Sequence, residues 1–189
     1  PAITDPRAAP AWGLAYAVSS RGGDHLRALP TPEHCFTPEE SKKLFGSREA
    51  LNPNSISGKG YLVKWSEDHR AVADSLEVCK FIVRTVLLRP VWMARYLKAV
   101  TGWDITENEL MTIGERIVNL ERLFNIRQGL TPKDDTLSQR FLNEPIPDGP
   151  KKGQVLDLEP MLNEYYHARG WNLTSGRPTN ETLRRLELS

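Results

Sequence analysis

The sequence is poor in cysteine, with only Cys35 and Cys79 in 189 residues. Two thiols at this length exclude a disulfide scaffold and point to a reducing compartment, so the cytoplasm is the expected location. They also exclude an iron–sulfur cluster held by this chain alone through four thiolates. Long apolar runs are lacking too. The best candidate, Phe81 to Leu88, is broken by Arg84 and falls far short of the roughly 20 residues that span a bilayer. No secretory-signal pattern is present. Neither sign of charge dominates, since 25 basic and 24 acidic residues give +1, so neither nucleic acid nor a membrane is expected as a partner. A Gly-rich phosphate loop, a G-x-S-x-G turn and an H-E-x-x-H pair are also missing.

What the sequence does contain is helical periodicity. Ala11 to Ser19 is rich in small residues, with Trp12, Ala15 and Tyr16 at helical spacing, and it stops at Arg21-Gly22-Gly23. Thr37-Pro38-Glu39-Glu40 has the form of an N-cap, a proline at N1 and acidic residues on the first turn of a helix ending near Gly46. Leu62, Trp65, His69, Val72 and Leu76 predict a long helix to about Asp74. After a pause over Asp74–Cys79 the pattern resumes through Phe81, Ile82, Thr85 and Val86, then restarts at Pro90 and continues to Gly102.

Thr106 and Glu109 form a capping box ahead of the stripe Leu110, Ile113, Ile117, Leu120 and Phe124, which predicts a core helix closed by Asn125 to Gly129. The proline-rich stretch Leu130 to Gln154 is long for a compact loop and is expected to wrap a surface or line a site. Asp157 is placed to cap a helix over Leu158 to Arg169, and Thr179 to cap a last short one. The expected fold class is therefore all-α, an irregular array of roughly six to eight helices without internal repeats.

Few residues offer chemistry. A lone cysteine on an apolar helix is by default a small buried hydrophobe. Cys79, however, follows Asp74 by five positions at a helix interruption, where one turn could present a carboxylate to N–H donors and a thiolate to a metal. His25 follows the glycine pair beside Asp24, flanked by Arg21 and Arg27. It reads either as a positioned proton donor or as part of a salt-bridged turn. His69 reads as a solvated or half-buried helix position, Tyr165 and Tyr166 read as packing, and adjacent His34 and Cys35 lack further ligands at zinc spacing.

Four segments, in order, carry a resemblance: WGLAYAVSSRGGDHLRAL (Trp12 to Leu29), GKGYLVKWSEDHRAVADSLEVCKF (Gly58 to Phe81), ERIVNLERLFNIRQGLTPKDD (Glu115 to Asp135) and GQVLDLEPMLNEYYHARGW (Gly153 to Trp171). Together they span most of the chain and resemble the aldehyde ferredoxin oxidoreductase family. The resemblance implies that residues 1–189 correspond to the carboxy-terminal helical region of a much longer enzyme. In that enzyme an amino-terminal domain holds tungsten between two molybdopterins. It further implies a 4Fe-4S cluster with three clustered cysteines elsewhere and one distant ligand, which Cys79 matches at the end of a D-x-x-G-L-C-like motif. Asp74 matches the carboxylate that accepts hydrogen bonds from a pterin, and Val78 stands where the motif has leucine. Glu77 stands where the motif has glycine, a bulky anion in place of close backbone approach.

His25 is similar to the family's histidine near tungsten, whose implied catalytic role is a hydrogen bond to the substrate carbonyl. The implied reaction converts an aldehyde and water to a carboxylic acid, with ferredoxin as electron acceptor. By this reading the chain is inactive alone and binds no cofactor by itself. The implied partners are the missing amino-terminal domain or subunit, ferredoxin, a small aldehyde and, in the complete enzyme, a second copy. Two alternatives stand beside it: a related tungsten enzyme reducing aromatic acyl-CoA thioesters, and a cofactor-free helical interaction module.

Overall fold

The computed structural model describes residues 4–85 and 88–189. Among these the chain is all-α, with ten α-helices, two short 3-10 turns and no strand. The longest two set the frame. The first, α4 (Lys59–Ser75), lies at the centre, and α7 (Glu107–Arg127), α9 (Glu159–Arg169) and α1 (Pro10–Val18) pack on it. Close approach is built into the sequence: Gly60 faces the backbone of Tyr165 on α9, and Gly114 of α7 faces the carbonyl of Asp68 on α4. A methyl group at either position would meet main chain, which cannot swing aside.

One apolar core gathers α1, α4 and α9 around Leu14, Leu62, Val63, Met161 and Tyr165. A second joins α4 and α7 to α5 (Lys80–Thr85) and α6 (Pro90–Thr101) through Val72, Val83, Met93, Ile105 and Leu110. The expected run of α5 through Val86 lies outside the described residues. No described helix is long and apolar enough to cross a membrane.

Local signals place most elements. Helix α3 (Pro38–Phe45) has a reciprocal Thr37–Glu40 capping box and stops at left-handed Gly46. Helix α7 has the expected Thr106–Glu109 box, with Glu109 N donating to Thr106 Oγ1 at 3.2 Å. Thr179 caps α10 (Asn180–Arg185).

Four expectations need correction. Asp157 caps nothing: Leu156 and Leu158 are both buried, so the extended chain turns Asp157 to solvent and the helix begins at Glu159. Two further helices, α2 (Pro32–Cys35) and α8 (Gln139–Asn143), are too short to leave a periodic pattern. The proline-rich stretch containing α8 does wrap the surface, tied down by a Glu144 carbonyl that accepts from Arg7 at 2.8 Å. The apolar stripe of α7 is only half core. Leu120 and Phe124 are exposed, while Glu115, Val118, Asn119 and Arg122 face inward. These inward polar groups are satisfied there, because Asn119 accepts from the Trp171 indole at 2.8 Å and Arg122 forks onto Asp135 at 2.8 and 2.7 Å.

His69 is the fourth correction. It is fully buried, its Nε2 lies 2.7 Å from the Leu88 carbonyl, and its Nδ1 lies 3.2 Å from an Arg70 nitrogen. Burial, then the Arg70 charge, pushes its pKa down to about 3. The neutral Nε2–H tautomer satisfies both contacts. Tyr165 and Tyr166 are buried as expected, yet each hydroxyl is engaged by an acid, with Tyr165 donating to Glu67 at 2.6 Å and Tyr166 to Asp135.

Candidate active-site face

Helix α4 ends where its hydrogen bonding must close. The Val78 N–H donates to the Ala73 carbonyl at 2.9 Å and the Glu77 N–H to the Asp74 carbonyl at 3.1 Å, a C-terminal wrap that puts Glu77 at φ +55°. Left-handed backbone is the natural place for glycine, and glutamate takes the same conformation here at a cost of about 1–2 kcal/mol. The turn then presents Cys79, whose carbonyl accepts from the Ile82 N–H at 3.0 Å and so opens α5. Cys79 is exposed, not a buried hydrophobe. Val78 is half-buried against the second core, and Asp74 is exposed on the last turn of α4.

The loop after α1 reaches the same place. Asp24 accepts from the Leu26 N–H at 2.6 Å and pairs with Arg21 at 2.5 Å, folding the turn that carries half-buried His25. Burial opposes ionisation of Asp24, but the Leu26 amide and the Arg21 guanidinium outweigh it and lower its pKa. Asn125 of α7 donates to the Ser20 carbonyl at 2.6 Å and holds the start of the loop.

Two cations then join loop to helix. Lys80, the residue after Cys79, donates to the Leu26 carbonyl at 2.9 Å and to Asp74 Oδ2 at 3.0 Å. Arg27 reaches the same Asp74 oxygen at 3.4 Å and pairs with Glu121 of α7. The loop that carries His25 is thus tied, through its neighbour Leu26, to the helix end that carries Asp74 and leads into Val78 and Cys79. Lys80 and Glu121 gave no sign in the sequence, because charged residues on helices usually face water.

Exposed Leu26, Phe81 and Ile82 lie on the same loop and on α5, adding an apolar area to this face. Beside the loop, an open cleft of about 440 Å³ is lined by Arg21, Arg27, Leu120, Phe124 and Asn125. Among the described residues no three metal-ligating side chains come together. Cys79 therefore offers one accessible thiol ligand, and Asp74 one accessible acceptor. Cys35 and His34 are also exposed, on α2, away from this turn in sequence.

Comparison with known proteins sets this geometry in context. The family model described as aldehyde ferredoxin oxidoreductase, domains 2 and 3, matches residues 1–188. A tungsten-containing aldehyde ferredoxin oxidoreductase from Pyrococcus horikoshii is 41% identical over 186 residues, 97% of this chain and 29% of that protein. Its counterpart from Pyrococcus furiosus is 38% identical over 98% of this chain and 29% of its own length. More distant is the WOR-like subunit of an aliphatic sulfonate oxidoreductase from Pyrococcus furiosus, 29% identical over 92% of this chain and 24% of its own. The chain thus spans less than a third of the length of the relatives it matches. With the family model matching this chain almost end to end and all-α architecture throughout its described residues, the chain belongs to the aldehyde ferredoxin oxidoreductase family.

Proposed function

We propose that the chain is the carboxy-terminal helical part of an enzyme that oxidises aldehydes to carboxylic acids, with ferredoxin as electron acceptor. The observation that carries this reading is the Lys80 junction, where one ammonium group ties the His25 loop to Asp74 immediately beside Cys79. A histidine has no packing reason to sit beside a carboxylate and a thiol that lie far from it in sequence. A common cofactor gives it one.

The residues present fit the implied groups. The exposed thiol of Cys79 supplies the single distant ligand of a 4Fe-4S cluster, and at least two of the other three must come from outside this chain, whose one further cysteine is Cys35. Asp74 accepts hydrogen bonds from a pterin, and Val78 gives the turn an apolar edge. The left-handed backbone at Glu77 supports the motif despite the missing glycine, because the turn keeps the shape that glycine favours. The exposed apolar area of Leu26, Phe81 and Ile82 suits contact with the amino-terminal domain or subunit.

When bound, the tungsten pterin supplies the two-electron chemistry in which an aldehyde and water give a carboxylate, three protons and two electrons. The role of this chain is positional. His25 donates a hydrogen bond to the carbonyl oxygen and makes the aldehyde carbon more electrophilic. Arg21, Leu120 and Phe124 wall the cleft that admits the substrate.

Co-expression with a matching amino-terminal partner tests the reading. The expected product is a complex containing tungsten and iron that reduces a dye when given aldehyde. His25→Gln should keep both metals and lose at least about 100-fold in kcat, the usual scale for acid–base help. If Cys79→Ser retains full iron content and an unchanged cluster spectrum, the ligand assignment is wrong.

A further inference from the structure

Among the described residues, the buried cations Arg7, Lys59, Arg122 and Arg169 each sit on a carboxylate, namely Asp5, Glu33, Asp135, and Glu67 with Asp68. Arg70 does not. It is only 1% exposed, and none of the described carboxylates pairs with it. Its terminal nitrogens donate to Thr31 Oγ1 at 2.9 Å, to His69 Nδ1 at 3.2 Å and to the Leu29 carbonyl at 3.4 Å, all neutral acceptors. Its Nε has no partner among the described residues. Burial pushes the Arg70 pKa down to about 10, while Asp74 and the Cys35 thiol pull it up without touching it. The charge therefore persists at neutral pH. A buried ion without a counter-ion is strongly unfavourable, so packing alone gives no account of Arg70.

Its place in the fold gives one. Arg70 lies one turn of α4 before Asp74, on the same side of the helix. Its acceptors Leu29 and Thr31 continue the loop that carries His25 and Arg27. The wrap at the end of α4 then runs from Ala73 and Asp74 into Val78 and Cys79. A bare positive charge is thus sealed directly behind the turn that presents the thiol.

We propose that Arg70 raises the reduction potential of the iron–sulfur cluster completed by Cys79. The inference rests on the Cys79 reading above and adds a residue that tunes the same centre. A cluster held by thiolates becomes one unit more negative when it takes up an electron. A fixed positive charge nearby favours that reduced form, and in a low dielectric it acts at longer range than an exposed charge does. The opposing charges of Asp74, Glu77 and Glu121 are at least partly open to water on this chain, which screens them.

The test uses the complete enzyme and a mediated potential titration, read by the EPR signal of the reduced cluster. Thr31→Asp places a carboxylate on Arg70 and neutralises it without opening a cavity, whereas Arg70→Gln removes the charge. In both, the ratio of reduced to oxidised cluster at a fixed potential should fall at least about 3-fold, with iron content unchanged. Arg70→Lys keeps the charge and Thr31→Val removes only a hydrogen bond, so both should titrate as wild type. A smaller change in Thr31→Asp overturns the proposal, even where Arg70→Gln fails to fold. So does an equal fall in Arg70→Lys and Arg70→Gln, which traces the effect to packing. If Cys79→Ser leaves the cluster spectrum unchanged, the ligand assignment fails. If it alters the spectrum while Thr31→Asp leaves the midpoint in place, the role of Arg70 alone fails.

Discussion

Helix α4 carries acidic residues in two settings, and the contrast separates what holds this chain together from what it offers to others. In mid-helix, Glu67 and Asp68 are sealed in the interior with Arg169 of α9, which donates to them at 2.6 and 2.5 Å. The Tyr165 hydroxyl and Lys64 complete the group. Burial is the strongest influence there and raises the Glu67 pKa despite the Arg169 charge. At the end of the helix, Asp74 has the same chemistry and two cations of its own, yet its side chain stays 38% exposed. The inner cluster has no spare surface for a ligand and acts as structure. The outer cluster spans a loop and two helices at modest energetic cost and leaves its carboxylate reachable.

Removing one charged partner from each cluster should break the resemblance between them. Arg169→Met leaves two buried carboxylates without their partner and should lower stability by about 3–5 kcal/mol. Asp74→Asn should cost under about 1 kcal/mol, because exposed pairs in high dielectric are weak. Urea unfolding of the two variants measures both, and equal losses would show that exposure does not separate the clusters.

A smaller effect sharpens the contrast through pH. His69 is buried neutral, with its folded pKa near 3 against the ordinary histidine value of 6.5. Between those values the unfolded chain binds the proton and the folded one does not, so stability falls as pH drops below about 6.5. The loss between pH 7 and pH 5 should be about 2 kcal/mol from this residue. In His69→Gln, whose amide can still donate to the Leu88 carbonyl, that slope should vanish. Thermal unfolding across the range reads it.

The smallest effect concerns the outer turn itself. Glu77→Gly relieves left-handed strain but frees the unfolded chain, so a net gain of at most about 1 kcal/mol is expected. An unaltered or lowered melting temperature would mean that Glu77 makes compensating contacts in place.

Much of the outer face was legible because its signals are local. The spacing of Asp74 and Cys79 around a helix interruption, and a histidine after paired glycines, are features of short segments. The capping boxes at Thr37 and Thr106 were legible for the same reason. Lys80 and Glu121 were hidden, since nothing near them in sequence distinguishes a tethering charge from a solvated one. His69 and the inner face of α7 misled for a related reason: polarity suggests exposure, and only packing reveals that partners wait inside.

The sequence by itself determined the helical class and most element boundaries, because caps, periodicity and residue chemistry act within a few positions. Tertiary structure alone decided which charges are buried, that the backbone at Glu77 is left-handed, and that Lys80 brings the His25 loop to Asp74. Those outcomes depend on helices meeting across long stretches of chain at glycines such as Gly60 and Gly114, and no local pattern encodes such a meeting.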